Sequence, residues 1–97
     1  MRVIKNREEE NKKGITESRL RTIRKGDSFM VEVSTPMDDY TLYVDCSEGE
    51  VTEVASPSID PDEWTMHVGT DPVLETAVKR WNDIAYQIYF GRYVLHV

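Results

Sequence analysis

The sequence predicts an α+β fold, in which a small antiparallel β-sheet arranged as a meander carries one long C-terminal helix on one of its faces. Two patterns predict it. Residues 28–55 contain runs in which apolar and polar side chains alternate, as in strands with one buried face. Residues 72–90 place apolar side chains at helical spacing, as in a helix with one buried face. A chain of 97 residues with 39% hydrophobic side chains can bury a single core of this kind.

The chain is expected to divide into a polar, flexible N-terminal arm at 1–14 and a single globular domain at 15–97. The arm is predicted because residues 5–14 contain no apolar side chain. The segment after Gly14 has two interpretations, a helix with Thr16 as N-cap or a strand that turns at residues 25–27. We favour the strand, because the segments that follow are β.

Alternation predicts three strands that form a meander. The side chains expected to face the core are Phe29, Val31 and Val33 in the first strand, and Tyr40, Leu42, Val44 and Cys46 in the second. Residues 51–55 predict a third, less regular strand, because Val51 and Val54 fall on opposite faces. Residues 64–68 alternate as well and predict a short fourth strand, with His67 pointing outward.

The clearest predicted element is the helix at 72–90. Asp71 is a good N-cap, Pro72 suits the first helical position, and Gly91 suits the C′ position. The predicted apolar stripe consists of Leu74, Ala77, Val78, Trp81, Ile84, Ala85 and Ile88. Residues 92–97 alternate again and predict a terminal strand.

Catalytic and metal-binding patterns are absent from the sequence. One cysteine, Cys46, and two histidines, His67 and His96, cannot form a closed zinc site without carboxylate ligands. The loop at 60–63 lacks the alternation and the glycine of a calcium-binding EF-hand. No glycine-rich phosphate loop or nucleophile elbow occurs. We therefore expect a protein that is not an enzyme and that uses no cofactor or metal.

The sequence also predicts a cytoplasmic protein. No apolar run approaches the roughly 20 residues of a membrane span, and the first residues lack the apolar region of a signal peptide. A single cysteine cannot close an intrachain disulfide, which fits a reducing compartment.

Charge is the most informative property of the chain. Residues 1–26 carry nine basic side chains against four acidic ones, whereas residues 27–97 carry three against 14. Between Lys25 and Lys79, 53 residues hold 13 carboxylates and no lysine or arginine. Such a surface lacks local ion pairs and favours a positively charged partner, although solubility or adaptation to high salt would also produce it. The predicted partner-binding residues are Glu32, Asp38, Asp39, Asp45, Glu48, Glu50, Glu53, Asp60, Asp62 and Glu63.

The favoured hypothesis is a non-catalytic binding module whose acidic surface occupies a basic, nucleic-acid-binding site on a partner protein. Small size, acidity and the absence of catalytic motifs resemble, in kind, the DNA-mimicking inhibitors that phages use against host defences such as CRISPR effectors and restriction enzymes. The resemblance rests on composition and includes no shared motif. It implies a viral protein that acts in the host cytoplasm.

Two alternatives remain open. The first is a nucleic-acid-binding protein that grips phosphates with its basic N-terminal segment, through Arg19, Arg21, Arg24 and Lys25. The same segment would serve a homo-oligomer if it docked on an acidic neighbouring copy. The second is a structural subunit of a viral or other complex, which would offer the strand at 93–97 to a partner strand.

Overall fold

The computed structural model of the chain describes residues 2–4 and 22–96. The described elements are β1 (Arg2–Ile4), β2 (Thr22–Ile23), β3 (Ser28–Ser34), β4 (Asp39–Asp45), β5 (Glu50–Ala55), α1 (Trp64–Val68), α2 (Pro72–Tyr89) and β6 (Leu95–His96). An antiparallel sheet has the strand order β1-β3-β4-β5, and a second, two-stranded sheet pairs β2 with β6. Helix α2 packs on one face of the larger sheet, so the predicted α+β class is confirmed. The remainder of the predicted arm, 5–14, and residues 15–21 lie outside the described residues.

The meander follows the predicted alternation in β3 and β4. Phe29, Val31 and Val33 are buried in β3, and Leu42 and Val44 are buried in β4. The chain reverses between these strands in a tight turn, in which the Thr35 amide donates to the Asp38 carbonyl at 2.9 Å. The side chains of β3 and β4 that face α2 therefore form one apolar layer.

Strand β5 corrects the expectation that Val51 and Val54 face opposite sides. Both are buried, at 4% and 0% relative exposure. Tyr43 pairs with Glu53 and Val44 pairs with Val51, so the register shifts there by one residue. Thr52 is the extra residue, which is exposed and donates its hydroxyl to the Tyr43 carbonyl at 3.3 Å. A β-bulge thus turns both valines towards the core, which strict alternation could not predict.

Helix α2 begins and ends as predicted. The Asp71 carboxylate accepts hydrogen bonds from the amides of Val73 and Leu74. At the other end, Gly91 adopts φ 71°, and its amide donates to the Ile88 carbonyl while Arg92 donates to the Gln87 carbonyl. These two bonds form the Schellman motif that glycine at C′ permits. The predicted stripe is buried except for Ile84, which is half-buried. Its largest member, Trp81, packs edge-on against Phe29 with ring centroids 5.6 Å apart.

The predicted strand at 64–68 is wrong, because these residues form helix α1. Trp64 and Val68 pack against the core, while Met66 between them is 77% exposed. A strand would place all three on one face, whereas a helix brings positions i and i+4 together and turns i+2 away. In so short a segment, the alternation of apolar residues could not distinguish the two periods.

The two ends of the described stretch 22–96 meet in the second sheet. Thr22 pairs with His96 and Ile23 pairs with Leu95. Ile23 is fully buried, and Gly26 turns the chain into β3 with φ 91°. The strand interpretation is therefore confirmed for Thr22–Ile23. The predicted terminal strand is shorter than expected, since Leu95–His96 is its described part, and one of its edges is already paired within the chain.

Candidate functional site

The side of the larger sheet that faces away from α2 carries the polar residues of the meander, and we call it the outer face. Its members are Ser28, Met30, Glu32 and Ser34 from β3, Asp39, Thr41, Tyr43 and Asp45 from β4, and Glu50 and Glu53 from β5. None of these side chains is buried, and Tyr43 is 37% exposed. The outer face is therefore the largest polar surface that the sheet holds in a fixed arrangement.

Three carboxylates lie close together on the outer face. Asp45 is directly opposite Glu50, and Glu53 is opposite Tyr43 in the next row. Same-face neighbours on one strand are about 6.7 Å apart, and adjacent strands about 4.8 Å, so these three residues fall within roughly 10 Å. Like charges directly opposite one another destabilise a sheet, and strands β3, β4 and β5 contain no basic residue that would compensate.

Glu32 differs from these three because its strand is next to β1. The register of β1 and β3 places Arg2 opposite Glu32. In the sheet, strands β3 and β4 lie between this position and β5. Within residues 22–96, side chains form an ion pair between Glu75 and Lys79, at 3.1 Å, and this pair lies on helix α2 and not on the outer face. The acidic character of the outer face thus rests most firmly on the β4–β5 side.

A recess indents the outer face near the turn between β3 and β4. Its volume is about 480 Å³, and its lining includes the carboxylates of Glu32 and Asp39 beside Thr41, Ala55 and Pro57. Glu32 and Asp39 are both exposed. A recess with acidic walls can receive the long side chain of a lysine or arginine.

Two of the predicted acidic residues serve the turns of the meander. Asp45 Oδ1 accepts from the Ser47 amide at 2.8 Å and from its hydroxyl at 2.5 Å. Asp38 accepts from the hydroxyls of Ser58 and Ser56 and from the Asp39 amide. Together these hydrogen bonds lower the pKa of Asp38 below 3.8, and the bond from Ser58 has the largest effect. Both carboxylates are half-buried.

The remaining predicted residues do not join the outer face. Glu48 lies in the turn between β4 and β5, at the end of the sheet opposite Asp38 and Asp39. These ends are roughly 20 Å apart, because each strand holds seven residues. The loop before α1 contains Asp60, Asp62 and Glu63. The ten predicted residues therefore divide among the outer face, the turns at its two ends and the loop before α1, and do not form one patch.

The basic residues of the alternative site are only partly described. Arg24 and Lys25 are exposed in the turn before β3. The Lys25 Nζ lies 5.0 Å from the centroid of the Tyr89 ring. Arg19 and Arg21 lie outside the described residues, so their alignment on a strand stays a prediction.

A buried polar network that the sequence did not predict lies beneath the turn between β3 and β4. Asp71 Oδ2 accepts from the hydroxyls of Thr35, at 2.7 Å, and Tyr40, at 3.0 Å. The Tyr40 oxygen lies 3.4 Å from His67 Nε2, so His67 is half-buried against Tyr40 rather than pointing freely outward. Asp71 is 1% exposed. The N-cap pattern identified Asp71, but no pattern in the sequence indicates the two hydroxyl donors.

The serine hydroxyls near this network and the His67 ring have separate hydrogen-bond partners. Within residues 22–96, the hydroxyls of Ser56 and Ser58 bond to Asp38, and His67 contacts Tyr40. A nucleophile needs a base within hydrogen-bond reach, and neither serine has His67 at that distance in this part of the chain. Among the described residues, no three His, Cys, Asp or Glu side chains converge as ligands for a metal ion.

Comparison of the chain with protein-family models, with curated proteins and with solved structures finds no match. Neither helix in the described part of the chain has the length and apolar composition needed to cross a membrane.

Proposed function

We propose that this protein is a non-catalytic binding module, whose outer face occupies a basic, nucleic-acid-binding site on a partner protein. In this proposal it acts as a DNA-mimic-like inhibitor of the kind that phages direct against host defences such as CRISPR effectors. It acts in the cytoplasm, in the host's if the protein is viral. No cofactor or metal takes part.

The observation that carries the proposal is the acidic charge of the outer face on its β4–β5 side, which no basic residue of strands β3, β4 and β5 compensates. Asp45, Glu50 and Glu53 lie within roughly 10 Å on rigid strands, and the 53 residues between Lys25 and Lys79 supply no cation. A fold optimised for stability alone would mix charges of both signs on such a surface. The repulsion between Asp45 and Glu50 opposes folding, and an approaching basic surface would relieve it.

The geometry favours a partner that binds a phosphate backbone. Carboxylates fixed on adjacent strands form a row of anions, although the row is sparser than the phosphates of a DNA strand, which follow one another about every 3.4 Å. The acidic recess beside Glu32 and Asp39 adds a place for one long basic side chain. A groove lined by lysine and arginine provides both contacts.

The proposal is tested by competition for nucleic acid. A panel of purified DNA- and RNA-binding proteins, each loaded with a fluorescent oligonucleotide, is titrated with the chain at two salt concentrations. We expect displacement of the oligonucleotide from at least one panel member, and we expect it to weaken as salt rises, because screening reduces contacts between exposed charges.

Charge reversal identifies the surface responsible. The double variant Glu50→Lys/Glu53→Lys should lose displacement by about tenfold or more, since it places cations against a basic groove. The matched control, Asp62→Lys/Glu63→Lys, makes the same change in net charge at exposed positions outside the outer face and should still displace. Displacement that is equal for both variants, or absent across the panel, would refute the proposal.

A further inference from the structure

The C-terminal half of α2 and the segment just after it expose a cluster of aromatic rings. Tyr86, Tyr89, Phe90 and Tyr93 are four of the nine aromatic residues in the chain, and they fall within eight positions. We call them the ring patch. Phe90 lies 4.6 Å from Tyr86 and 5.0 Å from Tyr89, measured between ring centroids. Tyr86, Phe90 and Tyr93 are 48%, 50% and 45% exposed. Contiguous exposed apolar surface of this kind marks an interaction site.

A recess with charges of both signs adjoins the ring patch. It has a volume of about 280 Å³ and is lined by Asp83, Ile84, Gln87, Arg92 and Tyr93. A cavity of about 150 Å³ is enough to hold a benzene ring, so the recess has room for one aromatic side chain. The Arg92 guanidinium lies over the Phe90 ring, 5.3 Å from its centroid. Asp83 and Arg92 form no ion pair with each other or with any other residue in the described part of the chain.

These features make the surface complementary to itself. Asp83 and Arg92 are both exposed and line the same recess, beside the exposed rings of Tyr86 and Phe90. If a second copy packs antiparallel with its recess against this one, Arg92 of each copy meets Asp83 of the other. The rings of both copies then meet in the centre. Such reciprocity is the condition for a twofold interface.

We propose that the C-terminal half of α2, together with the segment 90–93 that follows it, is the interface of a twofold-symmetric homodimer, with reciprocal Arg92–Asp83 ion pairs around a core formed by the two ring patches. A second copy fits better than a nucleic acid. The recess beside the rings is lined in part by the carboxylate of Asp83, which would repel a phosphate but can pair with Arg92 of a second copy. Arg92 and the neighbouring rings also pack around Phe90, which leaves less of that ring open for stacking with a base.

The dimer does not depend on the function proposed for the outer face, and it leaves that face open. Helix α2 covers the opposite side of the sheet, so two outer faces remain exposed in the assembly. A partner with two basic sites would then be held by both copies, which raises the overall affinity without any new contact.

The test is sedimentation velocity of the full chain from micromolar to millimolar concentration. Wild type should form a dimer. The single variants Arg92→Glu and Asp83→Lys should each weaken it by about tenfold or more, because like charges then face each other across the interface. The double variant Asp83→Lys/Arg92→Glu exchanges the two signs and should restore the dimer. Arg80→Glu, which changes an exposed charge elsewhere on the same helix, is the matched control and should dimerise as wild type does.

Each result decides for or against the proposal. Restoration by the double variant, which a loss of folding could not produce, supports the reciprocal pair. A wild-type chain that stays monomeric overturns the proposal, as does a dimer that neither single reversal weakens. Binding of a single-stranded oligonucleotide by the monomer, with loss of Tyr fluorescence that Phe90→Ser abolishes, would assign the ring patch to nucleic acid instead.

Discussion

The hydroxyl of Tyr40 donates a hydrogen bond to Asp71 Oδ2 over 3.0 Å, and this contact joins the central strand of the sheet to the first turn of the long helix. The Thr35 hydroxyl donates a second hydrogen bond to the same oxygen. The other oxygen, Oδ1, accepts hydrogen bonds from the amides of Val73 and Leu74. One buried carboxylate therefore caps α2 and fixes its start against the turn between β3 and β4. An unpaired hydroxyl at this depth would be costly, so the charged form of Asp71 is important for stability.

Acid should weaken the fold through Asp71. Hydrogen bonds lower the pKa of Asp71 below 3.8 in the folded chain. The bond from Thr35 has the largest effect, and those from the Leu74 amide and the Tyr40 hydroxyl add to it. A carboxyl whose folded pKa is depressed contributes stability above its unfolded pKa, and this contribution is lost as the pH falls through the folded value. We expect the urea midpoint to be steady near neutral pH and to fall below about pH 4.

Asp71→Asn tests this assignment. Asparagine still caps the helix but replaces one acceptor oxygen by a donor, so the melting midpoint at neutral pH should fall by roughly 5–10 °C. The decline of stability in acid should become shallower without vanishing, because Asp38 also has a lowered pKa. An acid profile identical to that of wild type would exclude Asp71 as a source of the pH dependence.

Removal of Trp81 should be the most damaging truncation in the core. The side chain is 4% exposed and packs edge-on against Phe29. Trp81→Ala leaves a cavity between helix and sheet and should lower the free energy of unfolding by roughly 3–5 kcal/mol. Tyr86→Ala, on the exposed side of the same helix, provides the comparison and should change it far less. Equal thermal melts for Trp81→Ala and wild type would contradict this packing.

Gly49 should tolerate a methyl group less well than Gly26 does. Both adopt positive φ, 74° and 91°, so alanine incurs backbone strain of roughly 1–2 kcal/mol at either position. A Cβ on Gly49 would also lie 3.1 Å from Cβ of Tyr89, whereas one on Gly26 would meet nothing within 4 Å. In denaturant titrations, Gly49→Ala should therefore lose more stability than Gly26→Ala. The reverse order would mean that Tyr89 does not pack on this turn.

Cys46 should resist thiol reagents until the chain unfolds. It is fully buried, and burial, followed by the charges of Asp27 and Asp45, raises its pKa from 9.0 to about 11. At pH 8 such a thiol is ionised in roughly one molecule in a thousand, and the thiolate is the reactive form. Labelling with a disulfide reagent should be slow in buffer and fast in urea, with the unfolded chain as the control. Rapid labelling of the folded chain would show that Cys46 is accessible.

The sequence predicts best those elements whose pattern is long or chemically specific. The helix at 72–90 was predicted almost to the residue, because Asp71, Pro72 and Gly91 mark its ends and seven apolar positions mark its face. The core positions of β3 and β4 follow from simple alternation. The prediction is wrong at 64–68, because the apolar residues in this five-residue segment fit the spacing of a strand as well as that of a helix.

The candidate site was predictable in part for the same reason. Alternation placed Glu32, Asp45 and either Glu50 or Glu53 on the solvent side of their strands, and the structure puts all four on the outer face. No local pattern shows that Asp38 and Asp45 bind the hydroxyls of nearby serines, because such contacts depend on how turns meet in three dimensions. The pairing of Leu95–His96 with Thr22–Ile23 joins positions more than 70 residues apart and was invisible for that reason.

The surplus residue in β5 has a consequence for how this strand can change in length. Thr52 is the extra residue of the β-bulge, where two residues of β5 lie opposite one residue of β4. The pairing of the two strands is regular on either side of it. Excision of Thr52 alone would leave Val51 and Val54 inward and Glu50 and Glu53 outward on a regular strand. Excision of Glu53 would put Thr52 in its outward place, whereas excision of Val51 or Val54 would put a polar side chain in an inward position. A library of single-codon deletions should therefore yield folded protein when the codon of Thr52 or Glu53 is lost, and little when that of either valine is lost.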